Sequence, residues 1–178
     1  MEQKRRASDR IADPSYLEGL QSKPLDELRQ MREECKEVER ELSFERRLCQ
    51  ARVDILAAEL ERRTSGKDDS LLDRLPQILA SEVGGGDASL PERAPDLSVP
   101  RNADIPRRRV EEIVGEQTLS KLPSLQPTEI KGIIQSVSDH ERNVSAKRKA
   151  VQDVMDRIQS EIVRRYTSGE ADPSAALA

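Results

Sequence analysis

The apolar positions of the chain fall on two long lines. The first is Leu28, Met31, Cys35, Val38, Leu42, Cys49, Val53, Leu56 and Leu60. Its steps alternate three and four with one skip, which is a heptad seam on a helix. The second is Ile130, Ile133, Val137, Val144, Val151, Met155, Ile158 and Ile162. Start and stop signals bound both lines. A helix is predicted from near Pro24, a good first-turn residue, with Asp26 and Glu27 facing its N-terminal dipole; Ser65 and Gly66 end it after about Thr64. A second is predicted from near Pro127, with Glu129 in its first turn, to Ser168-Gly169. The pattern therefore predicts an all-α chain, an antiparallel helical hairpin or coiled coil of two long helices.

The remaining segments read differently. Residues 1–22 are polar, weakly patterned and expected to form a disordered arm before the first long helix at 23–66. Residues 67–123 form a partly disordered linker with short amphipathic helices, followed by the second long helix at 124–169 and a tail at 170–178. Within the linker, SLLDRLPQILASEV carries Leu71, Leu72, Leu75, Ile78 and Leu79 but is broken by Pro76. GGGDASLPERAPDLSVPRNADIP is rich in Gly and Pro and should lack stable structure, whereas RRVEEIVGEQ should form one or two helical turns. Antiparallel neighbours can be joined by a handful of residues. So long a connection supports a partner-binding role, with SLLDRLPQILASEV either docking on the partner or folding back on the hairpin.

A polar line runs beside the first seam: Glu39, Ser43, Arg46, Gln50 and Asp54, at spacings of 4, 3, 4 and 4. At about 100° per residue these positions spread over about 80° of the helix and extend over about 22 Å. An offset of 102 residues lays ERELSFERRLCQARVD (39–54) on ERNVSAKRKAVQDVMD (141–156). Glu141, Ser145, Arg148, Gln152 and Asp156 then repeat the line in full. Further identities follow at Arg40 with Arg142, Glu59 with Glu161, Arg62 with Arg164 and Arg63 with Arg165. The seam repeats only in type: Val38 faces His140, Cys49 faces Val151 and Leu56 faces Ile158. Packing asks a seam position to be apolar and tolerates swaps. A polar line kept residue by residue answers to something other than packing.

Antiparallel pairing would relate the two copies by a twofold axis and set both lines at one polar face. The axis would pass near Glu45 and Lys147, the charged residues in register on both seams. These two are expected to approach each other and fix the register. The face itself has readable chemistry. Arginine presents a planar fork suited to phosphate or to the O6/N7 edge of guanine, and it stacks on bases. Carboxylates accept from base N–H groups but repel a bare phosphate, while Ser and Gln fill the remaining donors and acceptors. A mixed face of this kind suits a guanine nucleotide, and a twofold-related pair of sites suits a symmetric ligand or two copies of it.

The repeated E-x3-S-x2-R-x3-Q-x3-D pattern resembles the twin signature of the RsiG family, actinobacterial anti-sigma factors. All ten signature positions are present here, and the resemblance spans both long helices. It implies a hairpin that binds a dimer of cyclic di-GMP through Glu39, Ser43, Arg46, Gln50, Asp54, Glu141, Ser145, Arg148, Gln152 and Asp156. It further implies that the loaded protein sequesters a sporulation sigma factor of the WhiG type and blocks its association with RNA polymerase. Arg46 and Arg148 are assigned to guanine or phosphate, and Glu39, Glu141, Asp54 and Asp156 to guanine N–H groups, on side-chain chemistry.

Composition narrows the alternatives. Hydrophobic residues make up 35% of the 178, aromatics 2% and charged residues 36%, which fits amphipathic helices rather than a large core. The net charge of −4 mixes both signs, so no global basic field would hold nucleic acid. No run of about 18 apolar residues is present to span a membrane. The basic N-terminus MEQKRRASDR lacks the apolar stretch of a secretory signal, so a cytoplasmic location is expected. Cys35 and Cys49 lie 14 residues apart on the seam, cannot bridge within one helix and lack metal-ligand spacing, so they read as small buried hydrophobes. Tyr16, Phe44 and Tyr166 are too scattered for a base-stacking platform. The basic runs Lys4-Arg5-Arg6 and Arg107-Arg108-Arg109 read as solubilising rather than as a contact for an acidic partner. His140, the one histidine, reads as a tolerated seam-boundary residue. No nucleophile–base pair or metal cluster emerges, so an enzyme is not expected. The competing reading is a structural coiled-coil adaptor with no ligand.

Overall fold

The computed structural model describes residues 7–65, 100 and 108–170, and every regular element among them is helical. A short helix α1 (Ala7–Ile11) leads through 3-10 turns at Pro14–Leu17 and Leu20–Ser22 into the long helix α2 (Leu25–Ser65). Later come α3 (Arg109–Ile113), α4 (Glu116–Ser120), a 3-10 turn at Leu122–Ser124 and the second long helix α5 (Pro127–Thr167). All four elements up to α2 have counterparts displaced by 102 residues: α1 returns as α3, the turn Pro14–Leu17 falls within α4, the turn Leu20–Ser22 returns as Leu122–Ser124, and α2 as α5, each long helix being 41 residues. The internal duplication thus begins with the arms, well upstream of the polar line.

The helix ends follow local chemistry. The Pro24 carbonyl accepts from the Leu28 amide at 3.1 Å to close the first turn of α2. At the start of α5 the Glu129 carboxylate reaches back to the Gln126 amide at 2.6 Å, a capping arrangement, with Pro127 at the first helical position. Gly169, at φ +76, takes the left-handed conformation that ends α5.

The chain forms two compact units, Met1–Leu42 with Ala146–Ala178 and Ser43–Ser145. In the first unit the early part of α2 runs against the late part of α5. Arg32 Nη1 donates to Gln159 Oε1 at 3.0 Å and Arg148 Nη1 to Glu39 Oε1 at 3.0 Å, so one number rises as the other falls and the pairing is antiparallel. Leu28, Met31, Cys35, Val38, Leu42, Val151, Ile158 and Ile162 are buried along the seam. In the second unit the late part of α2 meets the early part of α5, again antiparallel, with Arg46 on Glu141 and Arg63 on the Leu125 carbonyl. Its core joins Cys49, Leu56, Ile130 and Val137 to Val110, Val114 and Leu122 from the arm. Val53, Leu60 and Ile133 are only partly buried and pack around that core. Each fully buried aliphatic side chain contributes about 1.5–3 kcal/mol. A half-exposed ion pair contributes about 0–1 kcal/mol. The seams hold the helices together, and the polar line does not.

Residues 7–22 depart from the expected disordered arm. Ile11 is fully buried, the Tyr16 hydroxyl donates to Glu34 Oε2 at 2.9 Å, Arg10 pairs with Glu34, and Lys147 Nζ donates to Asp9 Oδ1 at 2.8 Å. The end of this arm is held by Arg165, which donates to the carbonyls of Leu20 at 3.1 Å, Gln21 at 3.0 Å and Lys23 at 2.6 Å. The second arm ends the same way, with Arg63 on the carbonyls of Leu122 (2.7 Å) and Leu125 (2.5 Å). Glu59 and Glu161, 4% and 7% exposed, sit behind these arginines, and each also holds the neighbouring Arg62 or Arg164 in two hydrogen bonds. SLLDRLPQILASEV, the Gly- and Pro-rich stretch apart from Pro100, Lys4-Arg5-Arg6 and the tail 171–178 lie outside the described residues.

Two predictions test this frame. Leu56 is fully buried in the core of the second unit, so Leu56→Ala should lower the unfolding free energy by about 2–5 kcal/mol in a denaturant titration followed by circular dichroism. Hydrogen bonds from Arg164 and then Arg165 hold the Glu161 carboxyl down at about 2, below its ordinary 4.5. A depressed folded-state value gives stability that is full above the unfolded value and is lost as pH falls through the folded one. The stability gap between wild type and Glu161→Gln should therefore be widest above about pH 5 and narrow steadily toward about pH 2. A gap that stays constant over that range would refute the clamp.

Candidate functional site

All ten positions of the duplicated line are described, nine of them half-buried and Asp156 exposed. They flank the buried seam and do not enter it. The first unit brings Glu39 of one line to Arg148 and Gln152 of the other, and it also contains Asp156. The second holds Ser43, Arg46, Gln50 and Asp54 together with Glu141 and Ser145. Each unit thus sets the leading glutamate of one line against the arginine of the other.

The hydrogen bonds make this exchange explicit. Glu39 Oε1 accepts from Arg148 Nη1 at 3.0 Å and from Gln152 Nε2 at 3.0 Å. Glu141 Oε1 accepts from Arg46 Nε at 2.9 Å and from the Ser145 hydroxyl at 2.8 Å. Residue typing alone assigned these glutamates to a ligand and did not anticipate the cross-helix pairs. The signal was available: with antiparallel pairing and an offset of 102, Glu39–Arg148 and Glu141–Arg46 are the same contact seen twice.

The two central seam charges behave differently from expectation. Glu45 takes His140, Oε1 to Nε2 at 2.8 Å, while Lys147 donates to Asp9 of α1. The expected Glu45–Lys147 contact as the device that sets register is corrected accordingly. Two causes stand out: the arm supplies an acidic partner that the hairpin picture lacked, and His140 gives Glu45 a neighbour one residue from the Arg46–Glu141 pair. Arg108 stacks its guanidinium over Phe44 at 4.9 Å from the ring centre, and Arg109 pairs with Glu112 at 2.8 Å, so these two members of the basic run have partners within the fold.

An open groove of about 700 Å³ lies in the first unit, between Leu17 and Leu20 of the arm and Asp156, Arg157, Ser160 and Arg164 of α5. It begins at the last residue of the second line. Gly19, at φ +65, lets the arm turn there. Among the described residues no cluster of His, Cys, Asp and Glu could hold a metal ion, and no helix is long and apolar enough to cross a membrane.

A family model described as RsiG-like matches residues 14–79 and 116–178. The chain belongs to the RsiG-like family. The two matched stretches begin 102 residues apart, the spacing of the internal duplication, and together they include the whole of both long helices. A comparison with curated proteins found no match. Membership suggests an anti-sigma factor role for this RsiG-like protein, with a sigma factor as its partner, in a family that is not one of enzymes.

Cys35 and Cys49 are both free and fully buried on the seam. Burial pushes the Cys49 thiol up to about 12, and the carboxylates of Glu45 and Glu141 push in the same direction. Burial also raises the Cys35 thiol. Since the thiolate is the reactive form, neither should react with a soluble disulfide reagent at about pH 8 in the folded protein, and both should react in denaturant. Fast labelling of either thiol under native conditions would show that its stretch of seam opens.

Proposed function

We propose that this RsiG-like protein is a cyclic di-GMP-responsive anti-sigma factor. Loaded with the dinucleotide, it sequesters a sporulation sigma factor of the WhiG type and keeps it from RNA polymerase, which sets its place of action in the cytoplasm. The observation that carries this reading is the duplicated polar line, kept in identity over ten positions and lying on the flank of the seams. Packing does not require it, and its half-exposed ion pairs add little to stability. Its chemistry matches one ligand class: arginine forks for phosphate or guanine, carboxylates for base N–H groups, amide and hydroxyl for the rest.

The first unit holds Glu39, Arg148, Gln152 and Asp156, the second holds Glu141, Arg46, Gln50 and Asp54 with both serines, and two such sets suit two ligand copies. Arg46 and Arg148 would take phosphate or guanine O6/N7. Glu39, Glu141, Asp54 and Asp156 would accept from guanine N–H groups. Ligand bound on this flank neutralises the arginines and presents a new surface to the sigma factor. Whatever tightening the ligand gives to the sigma factor, the sigma factor returns to the ligand, because binding linkage is reciprocal.

Calorimetric titration with cyclic di-GMP should give saturable binding at two ligands per chain. The Arg46→Ala/Arg148→Ala double variant should lose that binding while keeping its helix content by circular dichroism, and capture of a WhiG-type sigma factor should then depend on the ligand. No binding either to the protein alone or with the sigma factor present would leave the structural coiled-coil reading standing.

A further inference from the structure

The two cross-helix pairs present a ligand with an obstacle as well as a site. Arg46 and Arg148 are 36% and 31% exposed, so an incoming group can reach them. Their guanidinium groups are already engaged, by carboxylates that are themselves only 21% and 13% exposed. An anion that takes the arginine must displace the glutamate. Glu141 is then left with the neutral Ser145 hydroxyl, in a partly desolvated place and beside the new negative charge, and Glu39 exchanges the Arg148 guanidinium for that charge while keeping Gln152. Leaving such a group short of partners is costly, more so when it is charged.

We infer that Glu39 and Glu141 are specificity-determining residues: each holds the arginine of the opposite line until a ligand supplies both an anion for the guanidinium and paired N–H donors for the carboxylate. Guanine meets the second condition. Its N1–H and N2–H groups lie side by side and fit the two oxygens of a carboxylate. Adenine presents a ring nitrogen lone pair in the equivalent place and has no amino group at C2, so its Watson–Crick edge would meet the carboxylate with repulsion. A simple phosphate supplies only the anion. Exchange of partners therefore balances for a phosphodiester that carries guanine, and for neither part alone. The selectivity lies in the closed pairs of the ligand-free state as much as in contacts made afterwards, since discrimination is a difference between two affinities. The inference rests on the reading of this flank as a guanine-dinucleotide site.

The test compares wild type with Glu39→Gln/Glu141→Gln, each titrated with cyclic di-GMP and cyclic di-AMP. Glutamine keeps the shape, releases the arginine from an ion pair and accepts only one donor well. Wild type should prefer the guanine ligand strongly. In the variant that preference should fall by at least about tenfold, with weaker binding of cyclic di-GMP and tighter binding of cyclic di-AMP. Circular dichroism checks the fold. If the double variant does not fold, Glu141→Gln alone, at the more exposed of the two sites, should lower the preference by about threefold. An unchanged preference, or an equal loss of both ligands, overturns the inference and makes the glutamates plain contacts or structural groups. Failure of wild type to bind cyclic di-GMP is a different result, because it removes the guanine-site reading itself and this inference with it.

Discussion

Two paired helices bury one stripe of each and leave the flanks open. For helices of 41 residues with little aromatic content, that stripe is a thin core. The arms supply what the pairing lacks, and one residue type fastens both of them. Arg63 and Arg165 gather the carbonyls at the ends of the arms, groups that would otherwise lose hydrogen bonds on burial. Burying a guanidinium is tolerable here because Glu59 and Glu161 stand behind it. In the second unit Leu48 and Ile55 pack against the cluster that contains Val110, Val114 and Leu122 from the arm. At about 100° per residue, Arg46, Gln50 and Asp54 lie roughly on the other side of the same helix. The arm thus closes one flank of the seam, and the flank it leaves open is the one that carries the duplicated polar line.

The two units meet this demand with different chemistry. The second arm buries Val110 and Val114 completely, whereas the same places in the first arm hold Ser8 and the exposed Ala12. The first arm leans instead on Asp9 with Lys147, Arg10 with Glu34 and Tyr16 with Glu34. Pairs this exposed weaken as salt screens them, while apolar burial does not. The duplication has therefore kept the clamp and the polar line in identity and let the arm contacts drift. Drift is cheap where any attractive contact will serve, and it is blocked where one geometry must be made twice.

This division also decides what could be read from the chain beforehand. The seams were legible because periodicity over 30 or more residues is a strong signal, and Leu28, Leu56, Val137 and Ile158 are buried as that signal requires. The polar line was legible because it occurs twice. The first arm was not, since a five-residue helix shows no period, whereas the helical turns expected in RRVEEIVGEQ are found at Arg109–Ile113 in the second. Their repeat, Ile11 with Ile113, Leu17 with Leu119 and Leu20 with Leu122, is a handful of apolar matches in a weakly patterned segment. The Glu45–Lys147 expectation failed for the same reason: it treated the hairpin as complete, and Asp9 on an unforeseen helix took the lysine. The cross-helix ion pairs needed the antiparallel register as well as the repeat, because which partner a long charged side chain takes depends on the facing helix.

Self-pairing gives the flank a property that its residue list does not suggest. Two arginines on an open surface would attract any polyanion, and a sigma factor regulator works among nucleic acids. With Glu39 on Arg148 and Glu141 on Arg46, both arginines of the ligand-free line are already paired. General electrostatic attraction is thereby lowered, while a ligand able to satisfy both members of each pair loses little by replacing them. Each pair is accessible from its arginine side, so a ligand with matching groups can open it, yet the more buried carboxylate left behind penalises a ligand that matches only one.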